Sequence, residues 1–99
     1  MAKGARINRK IAENLAIQAL SFMASDPERL GAFLAATGIG PEMIRKAAAE
    51  PSFLAGVLDH VCGEEGLLIA AAEHAGVTPK EMEHAQAVLS GRPWQREVP

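Results

Sequence analysis

The sequence predicts a small all-α domain of five or six short helices, and three observations support this. Apolar residues recur at helical spacing through most of the chain, whereas no stretch alternates apolar and polar residues for long enough to form a strand. Proline, aspartate and glycine recur at helix-length intervals, in the order that starts and stops helices. Because the connecting segments are short, we expect orthogonal packing rather than a long four-helix bundle.

The first predicted helix spans Arg9–Ala24, and the second begins at Asp26. The side chain of Asp26 can accept hydrogen bonds from free backbone N–H groups at the helix start, and Pro27 presets the φ angle of the first turn. The predicted buried side of the first helix consists of Ile11, Ala12, Leu15, Ala16, Ala19, Leu20, Phe22 and Met23.

The second helix is predicted to end at Gly38 in a left-handed cap, with Ile39 packing back on Leu34 in a Schellman motif. A third helix is predicted to start at Pro41, and Pro51 ends it, because proline cannot continue a helix. The residues that we expect this helix to bury are Met43, Ile44, Ala47 and Ala48.

The fourth helix has the clearest period and stops at Gly63. Its predicted buried residues are Leu54, Val57, Leu58 and Val61. The fifth helix carries an equivalent apolar side and ends at a second glycine cap, Gly76-Val77. Its predicted buried residues are Leu67, Leu68, Ala71, Ala72 and Ala75.

The sixth helix is preceded by Thr78 and has Glu81 three residues later, the spacing of a capping box, in which each side chain accepts from the other's backbone N–H. It is predicted to end at Gly91. Its expected buried residues are Met82, Ala85 and Leu89.

The predicted domain organisation is a basic flexible arm (1–8), a helical domain (9–91) and an irregular tail (92–99). Residues 1–10 carry four basic side chains and no acid, whereas the rest of the chain carries six basic and twelve acidic ones. The net charge of −2 therefore divides into +4 at the N-terminus and −6 elsewhere. An acidic body disfavours a large phosphate-binding surface.

The chain has a candidate internal duplication at an offset of 38 residues, which aligns Gly38-Ile39-Gly40-Pro41 with Gly76-Val77-Thr78-Pro79. The repeated unit is a helix, an acidic start, a second helix, a glycine cap and a proline start. Reuse of common helix signals explains the match equally well.

Two stretches of the chain resemble a small alphaproteobacterial family described as a domain of unknown function. They are Asp26-Pro27-Glu28-x-Leu30-Gly31-x-Phe33-Leu34-x-x-Thr37-Gly38-Ile39 and Pro51-x-Phe53-Leu54-x-x-Val57-Leu58-Asp59. The resemblance covers residues 12 to 90. It implies a bacterial cytosolic helical domain, and it brings no activity, cofactor or catalytic residue.

No pattern in the chain predicts catalysis, a cofactor or a metal. Cys62 is the only cysteine, which excludes an internal disulfide and suits a reducing compartment, and its apolar neighbours indicate a small core residue. The pair Glu81-x-x-His84 lacks the second such pair that a di-iron bundle needs. With neither a signal peptide nor an apolar run of membrane-spanning length, we expect a cytoplasmic, non-enzymatic protein with no membrane partner.

Helix-turn-helix spacing supplies one alternative function. The segments 30–48 and 67–89 both place a glycine turn and buried apolar positions where such a DNA-binding motif needs them. Carboxylates on the sixth helix would repel phosphate, so the nucleic-acid contacts of this alternative fall on the arm and the third helix. They are Lys3, Arg6, Arg9, Lys10, Arg45 and Lys46.

Three apolar residues are candidates for an interaction surface. Ile17 falls on the polar side of the first helix, Ile69 has a similar position on the fifth, and Trp94 lies in the tail. Burial within the globule is the alternative for each of them. The sequence therefore predicts a protein-interaction or adaptor module, whose partner is another protein or a second copy in a homodimer.

Overall fold

The computed structural model describes residues 7–91, and over this range the chain forms helices joined by short turns. No strand occurs among these residues. The prediction of a small all-α bundle is confirmed. The elements are α1 (Arg9–Ala24), α2 (Pro27–Thr37), a 3₁₀ turn (Pro41–Met43), α3 (Ile44–Ala47), α4 (Pro51–Cys62), α5 (Glu65–Ala75) and α6 (Pro79–Ser90).

Side-chain caps fix the starts of three helices. Asn8 accepts from the backbone N–H of Ile11 at 2.8 Å, and Asp26 accepts from that of Glu28 at 3.1 Å. Thr78 and Glu81 form the predicted capping box, with bonds of 3.1 and 2.8 Å. Each cap satisfies a backbone donor that has no partner inside its helix, so these boundaries are set locally.

The residues around the start of α1 connect it to the core. Ile7 is 9% exposed and belongs to the core cluster, and Asn8 is the cap of α1. Both residues fall within the segment that the sequence assigns to the arm. The predicted tail, together with residues 1–6, lies outside the described residues.

α4 and α6 run antiparallel at the centre of the bundle. The amide of Gln86 donates to Asp59 at 2.8 Å, and the Cys62 thiol approaches the backbone oxygen of Met82 at 4.0 Å. The end of α4 therefore lies beside the start of α6. Both helices also pack against α1.

The end of α1 lies near the end of α4, as the contacts of Arg29 show. Its guanidinium lies 5.2 Å from the ring centroid of Phe22, in the last turns of α1. The same arginine lines a cavity with His60 and Glu64, at the end of α4. The ends of α1 and α4 and the start of α6 thus lie toward the same end of the bundle. α5 begins beside the end of α4 and brings His74 against Phe22, with ring centroids 5.1 Å apart.

The core is apolar and includes no buried polar or charged residue among those described. Its largest fully buried side chains are Phe33, Met23, Leu58, Met82, Val57 and Val61. Several buried positions on α1, α5 and α6 are alanines, which let neighbouring helices approach closely. The predicted buried sides of α4 and α6 are confirmed.

α2 is attached to the core through one fully buried side chain, Phe33. The ring of Phe33 packs edge-on against Phe53 and His60, at centroid distances of 5.8 and 5.3 Å. Leu30 and Leu34 on the same helix are only half-buried. The attachment of α2 therefore rests largely on one aromatic residue.

The third predicted helix departs from expectation. It begins as a 3₁₀ turn, continues as a single α-helical turn, and buries none of its residues. The predicted burial of Met43 is wrong, since this side chain is 47% exposed, and Ile44, Ala47 and Ala48 are half-buried. The residue before Pro51 is held in an extended conformation, so α3 ends too early to have a continuous buried side.

Two smaller predictions also need correction. Ile11, assigned to the buried side of α1, is 40% exposed because it lies at the edge of that side. Gly38 has the predicted left-handed φ of 75°, but its N–H donates to Leu34 and the N–H of Ile39 donates to the Thr37 hydroxyl. This is the simpler αL cap rather than a Schellman motif.

The structure repeats its helix boundaries at the predicted offset. α2 moved by 38 positions coincides with α5, and both helices end at a glycine with φ near 75°. The second cap is a Schellman motif, in which Val77 donates to Ala72 at 2.9 Å. The two halves diverge afterwards: Pro51 stops α3 where α6 has Leu89, and α6 continues into the core.

Candidate interaction surface

An open apolar groove lies between α2 and the 3₁₀ turn with α3. Its volume is about 620 Å³. Leu30, Pro41 and Ile44 form its apolar lining. Met43 is exposed on the same 3₁₀ turn. The groove exists because α3 is too short to close over α2.

Charged side chains flank this groove. Arg45 and Glu42 belong to its lining, and Lys46 follows on α3. Arg45 and Lys46 are exposed and form no ion pair within residues 7–91. The Glu42 carboxylate turns back toward Gly40, where a Cβ atom would lie 2.9 Å from it. The charged part of the lining is therefore mixed, with one carboxylate and one cation around an apolar surface.

α5 presents an apolar residue between two acids. Ile69 is 48% exposed, and Glu65 and Glu73 lie one turn before and one turn after it. Both glutamates are exposed and form no ion pair in the described part of the chain. α5 turns its other side inward, so these three residues form an outward ridge. We call them the Ile69 ridge.

The second predicted surface residue, Ile17, lies in a different setting on α1. It is 45% exposed and lines a shallow groove with Lys10, Ile11, Glu13 and Asn14. The structure therefore places Ile17 and Ile69 on separate helices with different charged neighbours. Trp94, the third predicted residue, lies outside the described residues.

A polar cavity of about 290 Å³ separates α2 from the junction of α4 and α5. Its charged and titratable lining residues are Glu28, Arg29, His60 and Glu64. Arg29 pairs with Asp26 at 3.4 Å, while its Nη1 atom is buried without a hydrogen-bond partner. The carboxylates outnumber the arginine, so the cavity disfavours an anion.

Cys62 behaves as an apolar core residue. Burial raises the pKa of its thiol to about 12, and the negative charges of Glu83 and Asp59 act in the same direction. The thiol therefore stays protonated at neutral pH, whereas a nucleophilic cysteine needs the thiolate. Within residues 7–91, no three histidine, cysteine, aspartate or glutamate side chains converge as a metal site would require.

Four of the cations of the nucleic-acid alternative are exposed on two helices. Arg9 and Lys10 are exposed at the start of α1, and Arg45 and Lys46 lie on the short helix that leads into α4. Arg9 also pairs weakly with Glu13, at 3.9 Å. The remaining two, Lys3 and Arg6, lie outside the described residues.

The arrangement of the helices argues against a DNA-binding helix-turn-helix motif. α6, the second helix of the later segment, packs against both α1 and α4. Its exposed residues are Pro79, Lys80, Glu83 and Ser90. In the earlier segment, α3 has four residues and buries none of them. A recognition helix needs an exposed side long enough to enter the major groove, and neither helix offers one.

The sequence analysis predicted neither the groove nor the two acids beside Ile69. The signal for the ridge was present, because Glu65, Ile69 and Glu73 share one helical side at i, i+4 spacing. The groove had no comparable signal. The groove exists only because Pro51 ends α3 early. The prediction that Met43 is buried implied a closed surface at this place.

These features define a class: a small all-α bundle whose exposed apolar surfaces have charged flanks. A family model described as "Protein of unknown function (DUF3572)" matches residues 9–92. The chain belongs to this family, in agreement with the predicted resemblance to a domain of unknown function. No curated protein and no solved structure matches the chain. None of the described helices has the length and apolar character needed to cross a membrane.

Proposed function

We propose that this protein is a non-enzymatic protein-interaction module of the cytoplasm. The observation that carries the proposal is the open groove between α2 and α3, with its apolar lining of Leu30, Pro41 and Ile44. A short apolar groove with charged flanks is the form in which a helical surface receives another helix. The protonated thiol of Cys62 is consistent with the absence of a nucleophilic role.

Affinity capture from the native cells tests this proposal. The tagged protein is compared with Met43→Asp, which places a charge at an exposed position on the 3₁₀ turn that forms one wall of the groove, and so leaves the fold intact. Ser21→Asp, which adds the same charge at an exposed site on α1, is the control. We expect a protein that wild type and the control retain and Met43→Asp loses. Identical sets of captured proteins for all three baits would contradict the proposal.

A DNA-associated role is the second candidate, because Arg9, Lys10, Arg45 and Lys46 are exposed, and Arg45 and Lys46 form no ion pair within residues 7–91. Cationic contacts of this kind give binding that salt weakens. A mobility-shift assay at low salt tests it. Retardation of duplex DNA that the double variant Arg45→Glu with Lys46→Glu loses would support this role, and no retardation of any duplex would remove it.

A further inference from the structure

We propose that the chain's own C-terminal segment, residues 92–99, covers the groove between α2 and α3 and inserts Trp94 into it. The inference rests on the proposed interaction function and names its regulation, because a partner must then displace the segment. Leu30, Pro41 and Ile44 line the groove, and its volume of about 620 Å³ is large enough for an indole ring. An apolar lining that is left in contact with water favours a cover.

The contacts of α6 with α4 show where α6 ends. The amide of Gln86 on α6 donates to Asp59 on α4 at 2.8 Å, and the two helices are antiparallel. Both helices rise by the same distance per residue, so a step forward on α6 corresponds to an equal step back on α4. Gly91 follows Gln86 by five residues, and Leu54 precedes Asp59 by five. Gly91 is therefore level with Leu54, in the first turn of α4.

Both walls of the groove are attached to this same turn of α4. Phe33 of α2 packs against Phe53 with ring centroids 5.8 Å apart. The backbone N–H of Glu50 donates at 2.8 Å to Ala47, the last residue of α3, and Pro51 then begins α4. The groove and the end of α6 therefore lie beside the same turn of α4.

The segment after Gly91 is long enough to pass this turn. Its eight residues lie outside the described residues, and Pro93 disfavours a continuation of α6. The axes of neighbouring helices are about 8–10 Å apart, and three extended residues span about 10 Å. Trp94 can therefore pass the first turn of α4. The whole segment spans about 26 Å when it is extended, which leaves five residues to follow the groove.

The tether and the composition favour this segment over a separate molecule. A tethered segment has an effective concentration of about 1 mM, whereas a free protein at about 1 µM competes at a thousandfold disadvantage. An aromatic ring such as that of Trp94 removes a large apolar area from water when it is buried. The segment also carries both signs of charge, on Arg96 and Glu97, as the groove does on Glu42 and Arg45. Neither groove residue forms an ion pair within residues 7–91.

Contact quenching of Trp94 fluorescence tests the placement. The chain has one tryptophan and no tyrosine, so its emission reports on Trp94 alone. In a full-length Cys62→Ala background, a nitroxide is attached at Arg45→Cys, in the groove lining, or at the exposed control position Ser21→Cys. Ser21 lies near the end of α1, which is toward the end of α4 rather than its start. We expect the label at position 45 to remove most of the emission and the label at position 21 to leave it unchanged.

A pair of lysine substitutions on α2 tests the apolar lining. Leu30→Lys places a cation in the groove and should shift the Trp94 emission to longer wavelength, toward that of the unfolded chain. The matched control Ala32→Lys adds the same charge at an exposed residue that lines the polar cavity instead, and it should leave the emission unchanged. An unchanged circular dichroism spectrum shows that α2 remains helical in both variants.

The regulatory effect is measured on a protein whose capture depends on Met43. If the segment covers the groove about nine-tenths of the time, Trp94→Ala should bind that protein about tenfold more tightly than wild type does. Equal affinity of the two would overturn the regulatory role.

Three results would overturn the placement: equal quenching by the two labels, wild-type emission at the wavelength of the unfolded chain, or quenching that disappears on dilution. The last result would mean that the segment binds a second copy. If Trp94 is not quenched while Met43→Asp still loses a captured protein, this inference fails and the interaction function stands. If the label at position 45 quenches Trp94 but no captured protein depends on Met43, the placement stands and the interaction function fails.

Discussion

Phe33 is predicted to control whether the segment from α2 to α3 stays docked on the bundle. Its ring is fully buried and contacts Phe53 and His60, and it is the only buried residue of α2. Neither the 3₁₀ turn nor α3 buries any residue. In Phe33→Ala we therefore expect α2 and α3 to undock while α1, α4, α5 and α6 stay folded.

The magnitude follows from the burial of the ring. Replacing a fully buried phenylalanine by alanine costs about 3–5 kcal/mol, from lost transfer free energy and the cavity that remains. A domain of this size has a total stability of about 5–15 kcal/mol. The half-buried Leu30, Leu34 and Ile44 are the main apolar contacts left to hold the segment. The stability lost in Phe33→Ala exceeds the stabilisation that we expect from these half-buried contacts. The substitution should therefore undock the segment rather than unfold the whole domain.

Native-state amide exchange is the assay, and Met82→Ala is the control. Met82 is also fully buried but lies on α6, between α1 and α4. Its truncation should cost about 2–5 kcal/mol and lower protection in every helix together. Phe33→Ala should instead lose protection over residues 27–47 and reduce the denaturant m-value, because less surface remains to be exposed on unfolding.

The reasoning would be refuted by uniform loss of protection in Phe33→Ala with an unchanged m-value. That result would mean that α2 and the central helices form one cooperative unit. Retained protection over residues 27–47 would likewise refute it, since docking would then not depend on the ring. Circular dichroism adds a direct measure, because undocking should remove part of the helical signal while the thermal transition of the remaining helices persists.

The remaining predictions concern a cap, two glycines and the thiol. Thr78→Ala removes the capping-box acceptor for Glu81 and should lower stability by about 1 kcal/mol, or about 4–8 °C in Tm by calorimetry; an unchanged Tm would show that the cap contributes nothing. Gly31→Ala should raise the free energy of unfolding by about 1 kcal/mol, and Gly76→Ala, at φ 77°, should lower it by a similar amount. Urea titrations measure both, and changes of the same sign in the two variants would contradict this. The Cys62 thiol, with its pKa raised to about 12 from 9.0, should react slowly with thiol reagents at pH 8. Between pH 9 and 12 the unfolded chain loses this proton and the folded chain keeps it, so stability relative to Cys62→Ala should fall as pH rises. Rapid labelling of Cys62 at pH 8, or a stability difference between wild type and Cys62→Ala that does not change with pH, would contradict this prediction.

Local signals in the sequence account for most of the helix boundaries. Asp26-Pro27, Gly38, Thr78 and Gly76 act within a few residues of themselves, through backbone donors, preset φ angles and left-handed conformations. α1 has the predicted bounds, and α2 and α5 end at the predicted glycines. These features needed no knowledge of the neighbouring helices.

Burial was less predictable, because it depends on which helices meet. Met43 and Ile44 have apolar side chains at positions that suggested a buried side, yet Met43 is exposed and Ile44 is only half-buried against the core. Ile17 and Ile69 could be placed on the polar sides of their helices from the sequence. That Ile69 lies on an outward ridge between two exposed acids also required the inward packing of the rest of α5.

The sequence by itself determined the all-α class, the caps and the repeated order of glycine and proline signals, because each of these arises from interactions along a single stretch of chain. Only the tertiary structure decided that α6 continues into the core while α3 stops at Pro51. That difference between two similar halves leaves one apolar groove open. Covering an apolar surface requires a partner helix at the right distance, and periodicity along one chain carries no information about that distance.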